Sequence, residues 1–583
     1  TLVTFLLAAS APAALAGKCQ APRGVGENPN CQGGDYSSCV SKTNALCWAE
    51  CSGNPAGGAG APCHTGCTTR NQQYCAGYCM AISNCDDCIE SLKQMGAGGN
   101  EDNWREACSQ EAHWNSPDNL KMVTGLQVKS VAVIGAGASG TAAAVALKAE
   151  GCFDKIKVFE RREAPGGLWL YDKEYNICDK EDKAGYSIKP GALPPALDPA
   201  SRIPNSLPRQ LPPDGKDRHH STPMYGSLTT TVPEIAMSFS DKRFPYGPFV
   251  PHHVPLEYLQ EYYHLHDVQD VLVLNTTVED LSRTSNSAGE NRWQLTLRKY
   301  NPEEGVDEWW QEVFDAVIIA NGQHSVPYVP QVKGLEQYME TYTGSVSHSK
   351  AYRNPCRFDG KKVLIVGNSL SGQDVAGDLV KVAQLPVYVS RRRGTIWDTP
   401  ESEDDIHWKP VIQEFISETK QILFADGSLL SGIDHIIYCT GYKPSYPFWN
   451  TNVNGQELYD YDKSKLNGSY LHTFFKDFPT LGIIGLGKTL AFRSYEYQAI
   501  ALARVFAGRN AIDLPSQEDW ERTWEEHTNK NGMEFHEVSI EDGELLRWYT
   551  QLSNIAGLPL CGKGRVPPAF TDETLWQLKN VRR

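Results

Sequence analysis

The residues Ser130–Gly140 read SVAVIGAGASG and decide the fold of the chain. Their first half, Ser130–Ile134, is an apolar run of the kind that forms a buried β-strand. A Gly-x-Gly-x-x-Gly pattern follows it at once, and a helical pattern, Thr141–Glu150, continues from the last glycine. A strand, a glycine-rich turn and a helix in this order predict a Rossmann dinucleotide-binding unit.

Each glycine of this turn has a physical role. Gly135 permits the tight turn, Gly137 lets the backbone approach a pyrophosphate, and Gly140 lets helix and strand pack closely. The helix N-terminus offers free N–H groups and a partial positive charge to phosphates. The next strand, Lys155–Phe159, ends in Glu160, a carboxylate that can accept hydrogen bonds from ribose hydroxyls.

A second unit of the same kind lies further along the chain. The strand pattern Lys362–Val366 leads into Gly367, with Ser369 in the place of the middle glycine and Gly372 as the last one. A helix is predicted over Asp374–Val382. We therefore expect two dinucleotide sites in one chain.

The two sites differ in the charge that follows the second strand. The strand Pro386–Val389 ends in Ser390, Arg391 and Arg392, where the first site has Glu160. A carboxylate would repel a 2′-phosphate, whereas an arginine pairs with it. The second site is therefore predicted to take NADPH, with Arg391 as the main contact and Ser390 beside it.

Composition limits the functions that remain open. The chain has 583 residues and a net charge of −15, which argues against a nucleic-acid or anionic-membrane partner. No stretch is long and apolar enough to predict a membrane span. Strand-like runs alternate with helical patterns from Val128 to Pro515, as in α/β proteins with parallel sheets. The proline-rich stretch Lys189–Pro213 predicts a surface excursion.

The N-terminal region carries different signals. Thr1–Ala16 has the apolar run and small-residue end of a signal peptide, which predicts entry into the secretory pathway. Of 17 cysteines, twelve lie between Cys19 and Cys108, which predicts a small disulfide-rich module of helical character. The spacing Cys85-x-x-Cys88 leaves half a zinc site as an alternative. We expect no metal in the rest of the chain.

Several motifs resemble those of the flavin-containing monooxygenases, in their fungal and yeast form. Tyr342–Tyr352 is similar to the family signature F-x-G-x-x-x-H-x-x-x-Y, with tyrosine in the leading place, and Cys439–Tyr442 is similar to its A-T-G-Y element. Pro165–Trp169 resembles the paired glycine and tryptophan that follow the ribose-binding acid. The segments Pro479–Gly485 and Glu496–Ala499 also follow the family pattern, so the resemblance spans about Val128 to Pro515.

The resemblance implies a set of cofactor-binding residues. It places FAD at the first site and NADPH at the second, within an FAD domain that contains an inserted NADPH domain. The implied FAD contacts are Gly135, Gly137, Ser139, Gly140, Glu160, Arg161, Gly167, Leu168, Trp169 and Gln498, and the implied NADPH contacts are Gly367, Ser369, Gly372, Ser390 and Arg391. The signature histidine, His348, is expected to shape the domain junction rather than to transfer protons.

The resemblance also implies a reaction. A monooxygenase of this family oxygenates a soft nucleophile, such as a thiol, thioether or amine, with O₂ through a flavin C4a-hydroperoxide. In the family an asparagine faces the flavin where this chain has Thr231, after Thr230. Threonine has one hydroxyl donor on a short branched stem. An NADPH oxidase that releases H₂O₂ therefore stays open, and so does a secreted cysteine-rich binding protein with a degenerate flavin domain.

These interpretations divide the chain into five parts. We expect a signal peptide at 1–16, the cysteine-rich module and linker at 17–120, and the first part of the FAD domain at 121–340. The NADPH domain is expected at 341–445 and the C-terminal part of the FAD domain at 446–583. The sequence predicts neither the substrate nor the partner of the cysteine-rich module.

Overall fold

The computed structural model describes residues 128–172, 190–191, 203–213, 221–285, 289–394, 405–487, 492–532, 535–540, 543–559 and 563–581. The predicted signal peptide and cysteine-rich module lie outside these residues. Within the described ranges, no helix combines the length and apolar character that crossing a membrane requires.

A seven-stranded sheet organises the first lobe. Its strands are β1 (Ser130–Ile134), β2 (Lys155–Phe159), β4 (Leu272–Val273), β8 (Ala316–Ile319), β21 (Ser469–Tyr470), β22 (Phe474–Phe475) and β23 (Leu481–Ile483). Their spatial order is β21-β22-β23-β8-β1-β2-β4. The five strands from β23 to β4 run parallel, and β21 and β22 add an antiparallel edge. The carboxyl ends of β1, β2 and β8 therefore meet at one edge of the sheet.

Helices cover one face of this sheet. The α-helices of the described residues are α1 (Ala138–Glu150), α2 (Glu234–Met237), α3 (His253–Leu265), α4 (Leu335–Thr341), α5 (Leu370–Leu379), α6 (Thr451–Asn454), α7 (Phe492–Phe506), α8 (Gln517–Asn531), α9 (Glu544–Ala556) and α10 (Asp572–Asn580). The alanine-rich α1 packs against α7, and α7 packs against α9, in one continuous hydrophobic core. Small side chains on α1 allow this close packing.

The other face is covered by an antiparallel sheet that the sequence analysis does not predict. It contains β3 (Arg209–Leu211), β5 (Thr276–Ser285), β6 (Asn291–Asn301) and β7 (Val306–Phe314) in the order β3-β7-β6-β5. Apolar residues of β5 and β6 share a core with β1 and β8. The strand β3 ends the proline-rich excursion and lies at the sheet edge, where proline-rich sequence is tolerated.

A second lobe is built on a five-stranded sheet in which every neighbouring pair is parallel. Its strands are β10 (Val346–His348), β11 (Val363–Val366), β12 (Val387–Ser390), β13 (Ile406–Lys409) and β17 (His435–Tyr438), in the order β10-β17-β11-β12-β13. A small antiparallel sheet of β14 (Ile412–Ile416), β15 (Gln421–Phe424) and β16 (Leu429–Ser431) packs beside it. Two further pairs are β19 (Tyr459–Asp460) with β20 (Lys465–Leu466), and β9 (Val326–Pro327) with β18 (Tyr442–Lys443). The antiparallel pair of β9 and β18 carries the chain into and out of the second lobe.

Candidate active site

The first glycine-rich loop has the geometry of a dinucleotide cradle. Gly135 has a φ of +104°, and a Cβ there would lie 2.6 Å from the carbonyl oxygen of Ala320, at the end of β8. A Cβ on Gly140 would lie 1.9 Å from the carbonyl oxygen of Gly135. Glycine is therefore required at both positions. The helix α1 follows with Gly137 as its extended N-cap residue, so its free N–H groups stand at this edge of the sheet.

The segment Pro165–Trp169 folds back onto this loop. The N–H of Gly166 donates to the carbonyl of Ala136 over 3.0 Å. A Cβ on Gly167, whose φ is +57°, would lie 2.7 Å from the Cα of Gly137. Two backbones therefore meet with no side chain between them, and the residues present fit a bound pyrophosphate. Trp169 itself is buried, with its ring nearly perpendicular to that of Phe492, while Leu168 is half-buried.

Glu160 is held in place beside the same loop. One carboxylate oxygen accepts from the N–H of Ala136 over 2.8 Å, and the other accepts from the N–H of Arg162 over 2.9 Å. A carboxylate has about four acceptor sites, so two contacts leave capacity for ribose hydroxyls. Arg161 is exposed, whereas Arg162 is buried and pairs with Asp172 at 2.6 Å. The sequence predicted Glu160 and Arg161 as FAD contacts, and both lie at this edge.

The second loop repeats this geometry. Gly367 has a φ of +107°, and a Cβ there would lie 2.6 Å from the carbonyl oxygen of Cys439, at the end of β17. A Cβ on Gly372 would lie 2.1 Å from the carbonyl oxygen of Gly367. Ser369 is the extended N-cap residue of α5, with a φ of −84° that any residue adopts. This explains why serine is accepted where the first loop has Gly137.

The helix α5 begins at Leu370, four residues before the predicted start at Asp374. The helical turn that carries Ser371 and Gly372 is needed to bring Gly372 against Gly367. In both loops the last glycine therefore belongs to the first turn of the helix, not to the connection before it.

Ser390, Arg391 and Arg392, at the end of β12, differ in what their side chains contact. Ser390 is buried, and its Oγ donates to the carbonyl of Pro410 over 2.8 Å, so this hydroxyl is used within the protein. The guanidinium carbon of Arg391 lies 3.9 Å from the ring centroid of Trp408, a cation–π stack. Arg391 is half-buried and Arg392 is exposed. The structure therefore presents Arg391 and Arg392, more than Ser390, at the end of this strand.

Gln498 lies on α7 and is fully engaged with the protein. Its Oε1 accepts from the N–H of Gly485 over 3.1 Å, and its Nε2 donates to the carbonyl of His472 and the hydroxyl of Thr473, over 3.0 and 2.9 Å. A Cβ on Gly485 would lie 2.3 Å from the Oγ of Ser139, in the first turn of α1. The side chain of Gln498 therefore positions the backbone beside Ser139, and its amide is used within the protein.

Thr231 lies in a segment that is fixed on both sides. The residue before it, Thr230, exchanges backbone and side-chain hydrogen bonds with Val250 at 2.9 and 3.0 Å. After it, the short helix α2 is held by Arg493, whose Nε donates to the carbonyl of Ser238 over 3.0 Å. Thr231 itself is half-buried. Arg493 was not predicted as a site residue, because nothing in the pattern of α7 shows which loop lies against that face.

The signature motif contributes two buried basic side chains, His348 and Lys350, at the junction of the lobes. His348 has no exposed surface, and burial lowers its pKa to about 4, which keeps it neutral. The Nζ of Lys350 donates to the carbonyl of Ser325 over 2.6 Å. Burial, with the nearby charges of Arg161 and Arg353, lowers the pKa of Lys350 to about 7. Lys350 was missed, because its burial depends on the packing of both lobes.

Other chemistries find little support in the described residues. The thiols of Cys152 and Cys439 are free, and burial raises the pKa of Cys439 to about 12, which makes it a poor nucleophile. Across the same residues, no group of three or more histidine, cysteine or acidic side chains is placed to hold a metal ion.

Two Rossmann loops, each at the carboxyl ends of parallel strands in its own sheet, define a protein of the two-dinucleotide class. The NAD(P)-binding Rossmann-like domain matches residues 133–188, and the flavin-binding monooxygenase-like family matches residues 214–405 and 402–555. The chain belongs to the flavin-containing monooxygenase family.

Named relatives agree with this assignment. The chain is 30% identical to flavin-containing monooxygenase FMO GS-OX-like 8 of Arabidopsis thaliana, over 67% of this chain and 78% of the relative. It is 29% identical to flavin-containing monooxygenase iboF of Amanita muscaria, over 68% and 81%. The structure of S-allyl-L-cysteine S-oxygenase from Allium sativum superimposes with a TM-score of 0.60 at 23% identity, covering 78% of this chain and 92% of that one. This last likeness shows a shared fold.

The predicted family, fold class and enzyme class are therefore confirmed. The protein is a flavin-dependent monooxygenase, and the family match supports FAD and NADPH as its cofactors. Both glycine loops keep the geometry that a dinucleotide needs, which argues against a degenerate flavin domain.

Proposed function

We propose that this enzyme uses NADPH and O₂ to oxygenate a soft nucleophile, namely a thiol, a thioether or an amine. The observation that carries the proposal is the pair of loops with the same backbone geometry and opposite charge beside them, Glu160 at the first and Arg391 at the second. FAD, when bound, accepts a hydride from NADPH and passes two electrons to O₂.

The first loop would hold the FAD pyrophosphate. The N-terminus of α1 offers N–H groups, and the contact of Gly137 with Gly167 leaves backbone with no side chain in the way. Glu160 is oriented by two backbone N–H groups before any ribose arrives, so it loses little freedom on binding.

The second loop would hold NADPH, with Arg391 on its 2′-phosphate. The stack on Trp408 fixes the plane of the guanidinium, and a fixed plane suits bidentate pairing with phosphate. Ser390 supports this end of β12 through its hydrogen bond to Pro410. Replacing Trp408 with leucine should therefore weaken NADPH binding, although Arg391, the residue that contacts the phosphate, is retained.

Thr231 would supply a hydroxyl donor toward the flavin. Its neighbour Thr230 is locked to Val250, so the backbone at Thr231 has little freedom to bring a short side chain closer. The limited reach of Thr231 favours the loss of some electrons from NADPH to H₂O₂. An NADPH oxidase is therefore the second candidate function. The coupled reaction is NADPH + H⁺ + O₂ + substrate → NADP⁺ + H₂O + oxygenated substrate, and the uncoupled one is NADPH + H⁺ + O₂ → NADP⁺ + H₂O₂.

One experiment separates the two candidates. NADPH consumption and H₂O₂ release are measured together across a panel of thiols, thioethers, amines and ketones. A monooxygenase of soft nucleophiles accelerates with members of the first three classes and forms less H₂O₂ per NADPH when they are present. An unchanging ratio near one H₂O₂ per NADPH across the whole panel would identify an oxidase.

We also propose that the chain passes through the secretory pathway, with the cysteine-rich module stabilised by disulfides. Support comes from the signal-like Thr1–Ala16 and from two Asn-x-Ser/Thr sequences. Asn275 is exposed in a turn, whereas Asn467 is half-buried and its amide donates to the carbonyl of Glu457 over 2.9 Å. In a eukaryotic secretory host, glycosidase treatment should lower the mass of the wild type but not of Asn275→Gln. A wild type without glycan would count against this route.

A further inference from the structure

The segment Thr222–Leu228, here called the strap, runs between the two lobes directly before Thr231. Its residues are divided between two hydrophobic cores, since Met224 packs in the core of the first lobe and Tyr225 in that of the second. Leu228 packs against both cores. The strap is therefore in contact with both lobes along its length.

The helix α5 holds the strap through two carboxylates. The hydroxyl of Tyr225 donates to Asp374, and the hydroxyl of Ser227 donates to Asp378, each over 2.5 Å. Asp374 and Asp378 are four residues apart, so they stand on one face of the helix. Ser369 and Leu370, which belong to the second dinucleotide loop, are the N-cap and the first residue of the same helix.

The signature motif joins this arrangement. The hydroxyl of Tyr352 donates to the same Oδ2 of Asp378 that receives Ser227, over 2.9 Å. The guanidinium of Arg353 donates to the carbonyl of Thr222 over 3.0 Å, and its own carbonyl accepts from the N–H of Gly226 over 2.9 Å. The last residue of the motif, Tyr352, and the residue that follows it, Arg353, therefore hold the strap and α5 together.

We infer that Asp374 and Asp378 are positioning residues, which set the place of Thr231 according to the position of the helix that receives the nicotinamide dinucleotide. Only three residues separate Ser227 from Thr231, and Thr230 continues the path through its pairing with Val250. A shift of α5 on NADP⁺ binding is therefore transmitted to the loop that faces the flavin. This inference rests on the proposed function, because it takes the second loop as the nucleotide site.

Hydrogen–deuterium exchange of the FAD-loaded protein, with and without NADP⁺, tests the coupling without relying on turnover. In the wild type, NADP⁺ should slow exchange both in the loop 367–372 and in the segment 229–238. In the double variant Tyr225→Phe/Ser227→Ala, the loop 367–372 should still be protected, while the NADP⁺-dependent protection of 229–238 should fall about two- to tenfold. That is the shift expected from losing hydrogen bonds of ordinary strength.

Control variants distinguish a specific effect of the strap on residues 229–238 from a general loosening of the structure. Tyr342→Phe removes a tyrosine hydrogen bond in the same lobe, from its hydroxyl to the carbonyl of Ser417 at 2.7 Å, and should leave the protection of 229–238 unchanged. The variant Tyr225→Phe/Ser227→Thr keeps a hydroxyl at position 227. It should recover part of the NADP⁺-dependent protection of 229–238. The H₂O₂ formed per NADPH should rise in the double variant, while the anaerobic rate of flavin reduction stays at the wild-type value.

Each contrary outcome has a distinct meaning. Equal NADP⁺-dependent protection of 229–238 in wild type and double variant would overturn the inference, and so would its absence from the wild type. Failure of NADP⁺ to protect 367–372 in the wild type would instead show that the proposed nucleotide site is wrong.

Discussion

The Nε2 of His348 donates a hydrogen bond to the carbonyl oxygen of Gly441, 3.0 Å away, and its Nδ1 accepts from the N–H of Lys350 over 3.1 Å. This pair of contacts requires the neutral ring, because a protonated Nδ1 would face another donor. Through it the signature motif is joined to the segment by which the chain leaves the second lobe. The contact explains why a histidine that is neither exposed nor charged is useful at this position.

The low pKa of His348 predicts that the stability of the protein depends on pH. His348 titrates near pH 4 when folded and near 6.5 when unfolded, so the unfolded state binds more protons between these values. The free energy of unfolding should therefore fall as the pH drops from 6.5 to 4, by up to about 3 kcal/mol for this residue. Urea unfolding at pH 7 and pH 4.5 measures it. His348→Gln should show a flatter profile than the wild type, and parallel profiles would contradict the assignment.

FAD binding should depend on the contact between Gly137 and Gly167. A Cβ on Gly137 would lie 3.4 Å from the Cα of Gly167, so the larger side chain of Gly137→Val would occupy the space that the pyrophosphate needs. The purified variant should lose the flavin absorbance near ~450 nm that the cofactor gives. Gly377→Ala, a helical glycine with open space around it, is the control and should stay fully loaded. Full loading of Gly137→Val would refute the site.

Nucleotide preference should depend on Arg391. Losing one charge-assisted phosphate contact costs about 1.5–3 kcal/mol, or roughly ten- to a hundredfold in affinity. Arg391→Ala should raise the KM for NADPH by that factor and leave the KM for NADH nearly unchanged. Arg522→Ala, on the exposed face of α8, serves as the charge control. If both nucleotides lose affinity equally, Arg391 has a structural role instead.

Replacing Thr231 with asparagine gives this position a hydrogen-bond donor that reaches further. We expect the wild type to lose part of its reducing equivalents as H₂O₂, and Thr231→Asn to lower that fraction, because the asparagine NH₂ reaches further. One donor at a developing charge contributes on the order of 3 kcal/mol. H₂O₂ per NADPH is measured with a turned-over thiol or amine, and the exposed Thr343→Asn is the control. Tight coupling in the wild type with inactivity of Thr231→Asn would show a pocket built around threonine.

The buried ion pair of Arg504 and Glu150 should contribute to the stability of the protein. Arg504 has no exposed surface, and its guanidinium lies 3.3 Å from Glu150, whose pKa is raised by burial. Arg504→Met leaves that carboxylate with less compensation and should lower the free energy of unfolding at pH 7 by about 3–5 kcal/mol, with a smaller loss at acidic pH. The matched change Arg522→Met breaks an exposed pair with Asp519 and should cost much less, because solvent screens that pair. Similar losses for both would contradict the difference in burial.

The parts of the fold that local sequence determines were predicted well. The strand β1 occupies the predicted residues, because a short apolar run next to a glycine turn has few alternatives. The sheet that contains β5 and β6 was missed. Its strands alternate apolar and polar residues, but their pairing across residues 276–314 was obscured by the expectation of βα units.

Side-chain roles were harder to predict than backbone geometry. Gly135 and Gly367 act through their own φ angles, which the pattern encodes directly. Gln498 hydrogen-bonds to residues that are distant in sequence, and Ser390 to Pro410, which follows β13, so both side chains direct their polar groups toward the protein. Their predicted cofactor contacts remain predictions, since a motif shows which residue is present but not where its hydrogen bonds go.

The paired connection of β9 and β18 has a consequence for synthesis on the ribosome. The sheet of the first lobe needs β8 and β23, yet the whole second lobe is translated between them. The second lobe is continuous in sequence, so we expect it to fold first, as domains generally do once complete. Until β23 emerges, β8 presents an open apolar edge, the kind of surface that recruits chaperones. The nascent enzyme should therefore depend most on folding assistance while residues 320–480 are being translated.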